Sequence, residues 1–562
     1  MAEEVTSMTL TNSSTQNSIS FTPFRLLGIL WAYPAYQKGN RLYQIERYEG
    51  AYTHYDVATQ KKPDWYNAWL RRGNSLKQLQ RYKDALSSYN HAIKIKPNDY
   101  WGWTFRGIAL AKLERYEEAI ASFDKAIKID PENFEAWYER GLAFEGMFQF
   151  KAAAASYKRA IEIQPDLSAV WYHQGNALMN EERYADAVEA YDRSLQLQPG
   201  NYEAWFNRAG MLMNQYRYGD ALNSYDQAIK LQPESYAAWF NRGIALQKLH
   251  RYPEAVASYD RVIQLQPEDD EAWLYKAMAL KPKWPEAALA AVDSALQIKS
   301  DSAPIWISRG QILLDLRQYE SAIAAFDRAT QVNPNYPEAW LGRGIALSGI
   351  QRDSEAIIAF DNALQIQPDF LDAWNYRGRT LDQLGRYEEA LAAYDKVLSH
   401  TSGEHPLASQ TGLQRGEALE RLQRYEEAIA AYETIVQQQP NHFEGWIQLA
   451  EVFEKTQQPT KAVEAYEQAL GIWPDNEEVS LKYGQALEAS HWYQDALKVY
   501  DRLIQRKPNF CQAWVRRGLT FEQLYQYEEA LRSYGVALEL QPNYSDAIAH
   551  RNRLMQLMGG SC

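Results

Sequence analysis

The amino-acid sequence predicts an all-α chain, an α-solenoid (superhelix) of about fifteen helical hairpins closed by a C-terminal capping helix. Three observations carry this. Tryptophan recurs every 34 residues, at Trp69, Trp103, Trp137, Trp171, Trp205, Trp239 and Trp273, and the series continues at Trp306, Trp340, Trp374, Trp446 and Trp514. A small residue stands four positions after each of them, and an alanine recurs without exception in the second half of each unit. A proline closes most units. A period of this size means a stack of small units, none of which buries its apolar face alone.

Residues 65–98 illustrate one unit. Trp69, Gly73 and Leu76 fall on one helical face. A second helix carries Ala85, Tyr89 and Ala92 on its inner face, and Pro97 ends it by removing a backbone donor. The short connection Leu79–Arg81 makes the two helices, A and B, antiparallel neighbours. Helices of about a dozen residues are marginal alone, so stacking must stabilise them. Glycine inside a helix costs up to about 1 kcal/mol relative to alanine. Its recurrence at Gly73, Gly107, Gly141 and Gly175 therefore implies close approach of helix B. A bulky residue at Ala85 or its counterparts is expected to splay the hairpin.

Along the chain, residues 1–30 read as a disordered tail rich in Ser, Thr and Asn. The apolar run Phe24–Tyr36 is too short to span a bilayer and is broken by Pro34. It is expected to pack on the first repeat, with a membrane-surface anchor through residues 21–36 as the alternative. Residues 31–398 form a long array. The period shortens by one near Lys281–Pro285 and lengthens at residues 399–407, which read as an inserted loop or hinge. A shorter array follows at 408–543. Residues 544–558 form the cap that a terminal repeat needs to cover its apolar face.

The repeat resembles the tetratricopeptide repeat (TPR) family in length, in the tryptophan, in the small residue after it, in the alanine, in the aromatic at Tyr89 and in the closing proline. The resemblance covers about nine tenths of the chain. It implies a right-handed superhelix in which A helices line a concave groove that binds extended peptides or partner proteins. One departure is systematic. The family usually has an apolar residue just before the small position, where this chain usually has arginine.

That arginine series (Arg72, Arg106, Arg140, Arg208, Arg242, Arg309, Arg343, Arg377, Arg415, Arg517) is matched by acids one helix away, from Asp56 and Asp124 to Asp501. Guanidinium groups held between helices need carboxylate partners, since an unpaired buried charge is costly. A structural Arg–Asp ladder is expected; a functional anion-binding stripe is the other reading.

Groove positions, taken from the family as Trp −2, +1, +2, +5, +8 and +9, carry the functional information. Aromatics occupy +1 at Tyr138, Tyr172, Phe206 and Phe240. His173, Asn207 and Asn241 stand at +2, Asn176 at +5, and Asn180 and Asn214 at +9. Amides both donate to and accept from an extended backbone, and aromatics offer area at low entropic cost. Together they read as a peptide-binding stretch, or as repeat packing with ordinary polar surface. Further on, Glu417, Glu420, Glu451, Glu454, Glu488 and Glu522 read as an acidic channel for basic segments, or as a solvated face. Asn74 and Lys77 alone make a weak case for a clamp on a terminal carboxylate.

Net charge is −13 and the isoelectric point about 5.4, which speaks against nucleic-acid binding. Two cysteines, Cys511 and Cys562, form no framework and suit a reducing, cytoplasmic setting. No phosphate-binding loop, dinucleotide fingerprint or His-Glu-x-x-His metal motif occurs, so no cofactor, metal, catalytic residue or small-molecule substrate is expected. The chain reads as a non-catalytic interaction scaffold. The alternatives are an assembly factor or chaperone adaptor, and an accessory arm of a glycosyltransferase or kinase complex.

Overall fold

In the computed structural model, residues 23–401 and 406–559 are described, with side chains from Ala32 onward. Among the described residues there are 31 helices and no strand, in strict hairpin succession. They divide into two compact units, Met1–Pro267 and Glu268–Cys562. Within each, every helix packs on the one before it and the one after.

Each hairpin follows from its sequence. In the unit of Trp69, helix A is Tyr66–Gln78 and helix B is Tyr82–Ile95. Helix A ends because Gln80 turns left-handed, at φ 57°. The Arg81 and Gln80 amides then bond back to the carbonyls of Leu76 and Lys77, at 2.9 and 3.0 Å, which satisfies two carbonyls the helix end leaves open. Among the described residues the same left-handed position is a non-glycine in thirteen turns and a glycine only at Gly385. The shortened turn after helix Asp270–Leu280 has none; there Lys281 stays helical and Trp284 leads into Pro285–Ile298.

Helix A and helix B touch through the small residues. A Cβ placed on Gly73 would lie 2.5 Å from the Tyr89 ring, so only glycine, or a slight shift, lets that ring in. Ala85 and its counterparts are fully buried. The B-helix aromatics Tyr89, Phe123, Tyr157 and Tyr191 are sealed with them. These rings and alanines form the core, unit after unit.

The first helix, Pro23–Gln44, begins inside the segment expected as a tail; residues 1–22 lie outside the described residues. It runs through Pro34 and serves as helix A of the first hairpin. Its Ala32 and Tyr36 are buried, and the Tyr36 ring lies 4.5 Å from that of Trp65 and 5.6 Å from that of Tyr55. Of the 399–407 insertion, residues 402–405 lie outside the described residues. The flanking helices, Tyr387–His400 and Pro406–Arg421, pack together within one buried cluster running from Ile357 to Tyr500. The last helix, Ser545–Gly559, lays Ala547 and Leu554 on the final hairpin. No described helix is long and apolar enough to cross a membrane.

Candidate peptide-binding groove

Helix A carries two sets of side chains that face different ways. The first builds the ladder. Arg208 Nε bonds to Asp192 of the preceding helix B at 2.6 Å, while its Nη1 bonds to Ser224 Oγ of its own helix B, also at 2.6 Å. The guanidinium carbon also sits 5.8 Å from the Trp205 ring. Arg72, Arg140, Arg242 and Arg517 repeat the whole arrangement. Arg309, Arg343, Arg377 and Arg415 keep the aspartate half. Arg106 alone meets an amide, Asn90, at 2.9 Å instead of a carboxylate, and burial lowers its pKa. The serine half was missed in the sequence, though Ser88, Ser122 and Ser156 recur at one fixed offset. Eleven of the repeat tryptophans donate their indole N–H to the carbonyl six residues earlier, as Trp205 does to Pro199 at 2.9 Å.

The second set lines the opposite side. There the side chains of successive A helices meet one another: Asn207 Nδ2 donates to Asn176 Oδ1 at 3.2 Å, and His173 Nδ1 lies 3.1 Å from Glu145 Oε2. The +1 aromatics are half-buried and lean on the helix-B rings: Tyr138 on Tyr157, Tyr172 on Tyr191, Phe206 on Tyr225 and Phe240 on Tyr259, with centroids 5.7–6.1 Å apart. They thus form the floor of the face as well as part of the repeat packing. The +5 asparagine is committed inward, since the buried Tyr191 hydroxyl donates to Asn176 at 2.8 Å, as Tyr89 does to Asn74 and Tyr55 to Asn40.

The +2 and +9 positions keep more capacity. Asn241 spends one amide hydrogen on the Ala237 carbonyl, at 2.9 Å. Asn180 spends one on Asn176. Asn180 and Asn214 are exposed, whereas His173, Asn207 and Asn241 are half-buried. At the near end, burial and then the neighbouring Glu135 push the Glu139 carboxyl above its ordinary range.

In the second unit most of the expected acidic residues are matched by a base two helices on. Glu420 pairs with Lys455 at 2.5 Å and accepts from Tyr432 at 2.8 Å. Glu451 pairs with Lys482 at 2.6 Å and Glu522 with Arg553 at 2.5 Å. Glu488 accepts from Thr520 at 2.6 Å and lies 3.4 Å from Arg516. Glu417 and Glu454 have no such ion pair, and burial raises the pKa of both. The result is a cross-repeat charge ladder more than a run of bare carboxylates.

Profiles described as tetratricopeptide repeat match residues 66–99, 134–167, 168–201, 202–235, 236–269, 307–369 and 371–403, and one described as TPR repeat matches 107–147. Together with a further TPR match at the C-terminal end they cover well over half of the chain. The chain belongs to the tetratricopeptide repeat family. TPR arrays are protein-interaction scaffolds, and this one is built of repeats with no catalytic family among its matches. The C-terminal match, residues 422–548, is to the TPR domain of cytochrome c-type biogenesis protein H. No curated protein matches the chain. Among solved structures it is similar to YrrB, described as a TPR protein with an unusual peptide-binding site (23% identity, 33% of this chain and 95% of that one, TM-score 0.31). It is also similar to yeast Tom70 (17%, 80% and 98%, 0.36) and to the complex of Naa15 and Naa10 bound to HypK-THB (13%, 94% and 96%, 0.33). These are likenesses of fold alone.

Proposed function

We propose that the TPR array grips an extended segment of a partner protein along the helix-A face between Tyr138 and Asn241. One observation supports this most. Along that stretch a floor of half-buried aromatic rings lies beside a row of amides and one imidazole at the +2 and +9 positions. The rings supply apolar area that is already ordered, and the amides supply donors and acceptors spaced by one repeat. The ladder on the other side of each helix holds this face rigid, so little ordering cost falls on the scaffold.

Recognition in this reading rests on His173, Asn207, Asn241, Asn180 and Asn214. Tyr138, Tyr172, Phe206 and Phe240 form the floor, and Asn176 positions Asn207. In the second unit, Glu417 and Glu454 are the carboxylates left to meet a basic side chain. The setting proposed is cytoplasmic. The test is an affinity capture quantified by mass spectrometry, comparing the wild type with Asn207→Ala/Asn241→Ala at matched helicity. Partners that depend on the groove drop out of the variant; an unchanged partner set overturns the site.

A further inference from the structure

Two repeats of the second unit lack the tryptophan, with Gly412 at its place in one and Ser480 in the other. In the series Trp446, then Trp514, the position between them is Ser480. Around Ser480 the structure holds a cavity of about 570 Å³, lined by Leu470, Tyr483, Val499 and Leu503 on one hand and by the charged Glu467, Asp475, Glu477, Arg502 and Arg506 on the other, with Pro474, Gly471 and Ser480 between them. The corresponding place beside the intact Trp171 leaves about 240 Å³, and the loop Gln232–Ser235 before Trp239 leaves about 560 Å³, so the lining and not the volume distinguishes the Ser480 site.

The neighbouring repeats show what normally fills such a site. Trp446 Nε1 donates to the Pro440 carbonyl at 2.8 Å, and Trp514 Nε1 donates to the Pro508 carbonyl at 2.9 Å. In some repeats a basic or imidazole side chain twenty-two residues on covers the ring, as His91 stacks on Trp69 at 4.4 Å and Arg159 lies 6.0 Å from Trp137, whereas beside Trp446 and Trp514 that position is Gln468 and Val536. In the Ser480 repeat each of these partners is still present. The Pro474 carbonyl stands where the acceptor should be and takes a hydrogen bond from Arg506 at 3.1 Å, a side chain that is more than half exposed and also pairs with Asp475. Arg502 occupies the ring-covering position. Leu470 and Leu503 supply the apolar wall. The indole is gone, Tyr483 stands where most repeats carry the ladder arginine, and Ser480 Oγ donates to the Asn476 carbonyl at 2.7 Å.

We infer that this cavity is a receptor for a tryptophan side chain presented by a partner polypeptide. The guest indole takes the place that the chain's own tryptophans take elsewhere: its N–H replaces Arg506 on the Pro474 carbonyl, and its face lies under Arg502. A cavity with an apolar wall of Leu470, Val499 and Leu503, a polar remainder, one directed acceptor and a cationic cover favours indole, which carries both a ring face and an N–H, over a purely hydrocarbon ring. The site lies on the ladder side of helix A and is independent of the groove proposed above.

The test uses the full chain and N-acetyl-L-tryptophanamide, read by saturation-transfer NMR. Binding is expected to the wild type and to fall at least about tenfold in Ser480→Trp, where the guest is supplied within the chain at high effective concentration. Gly471→Phe provides a second block, because a Cβ at Gly471 meets open space on the cavity wall. The 1-methyl analogue, which has no N–H, is expected to bind about fivefold more weakly, the cost of one neutral hydrogen bond. Ser480→Trp is expected to melt no lower than the wild type. Equal saturation transfer in wild type and both variants, equal binding of the methylated probe, or a clear fall in melting temperature for Ser480→Trp overturns the proposal.

Discussion

Replacing Arg208 with methionine separates a ladder that holds the repeats together from a row of arginines that merely borders them. Methionine keeps most of the stem and removes the guanidinium. Three contacts go with it. The ion pair with Asp192 is partly exposed, 17% on the arginine side and 41% on the aspartate side, so about 0.5–1 kcal/mol is at stake there. The charge-assisted hydrogen bond to the buried Ser224 hydroxyl is worth about 1.5 kcal/mol. The approach to the Trp205 ring adds about 0.5 kcal/mol. Against these stands the relief of a largely desolvated charge, about 1–1.5 kcal/mol. Ser224 is not orphaned, because its hydroxyl also donates to the Asp220 carbonyl at 2.9 Å. Asp192 is exposed enough to hydrate. The net expectation is a loss of about 1–2 kcal/mol.

Because contacts in such an array are local, the loss is expected in the repeats that share the arginine and not uniformly along the chain. Hydrogen exchange followed by mass spectrometry reads it directly. Amides in Tyr184–Leu197, Tyr202–Asn214 and Tyr218–Leu231 should exchange about 5–30-fold faster, the rate equivalent of that free energy. A double-mutant cycle with Asp192→Asn should show coupling of about 0.5–1 kcal/mol. No local change in protection together with no coupling refutes the ladder as a structural device.

Three further outcomes are expected. Gly385→Ala, at the only glycine among the left-handed turns, should lower stability by about 1 kcal/mol, and Gln351→Gly should raise it by a similar amount, both read as urea midpoints. Glu139→Gln tests the desolvated carboxyl: a folded-state pKa raised above 4.5 makes the wild type gain stability as pH falls from neutral toward that value, and the variant should lack this increment. Equal pH slopes between pH 7 and 5 would count against it. Ala255→Leu, at a fully buried contact between helices, should cost about 1–3 kcal/mol by over-packing, measured by thermal melting.

The fold was legible because one signal was written many times over. A tryptophan, a small residue, an alanine and a proline in fixed register leave little freedom for any other packing. The Arg–Asp pairing was legible for the same reason, since each series repeats at a constant offset. What a single repeat could not show was which carboxylates end up opposed by bases. Glu420, Glu451 and Glu522 read as bare acids along one helix. Their partners Lys455, Lys482 and Arg553 come from the next unit at varying positions, and such pairs appear only once consecutive A helices lie side by side. The cavity at Ser480 was hidden for the opposite reason. It is the absence of a side chain, and its meaning depends on the partners that remain around the gap.

The same geometry divides labour within helix A. The residue three after the tryptophan, Arg208 in its repeat, faces the ladder. The residue at +5 or +8 is claimed by the buried helix-B tyrosine, as Asn176 is by Tyr191, Gln247 by Tyr259 and Glu522 by Tyr534. The +1 aromatic is half spent on packing. Of the positions that carry the proposed amides, +2 and +9 are neither core nor ladder. A substitution at Asn207 or Asn214 can therefore change what the face recognises at little cost to stacking, whereas one at Asn176 changes both at once. In the groove we propose, selectivity would rest chiefly on these positions, repeated at one-unit spacing, on a frame whose stability is fixed by other residues of the same helix.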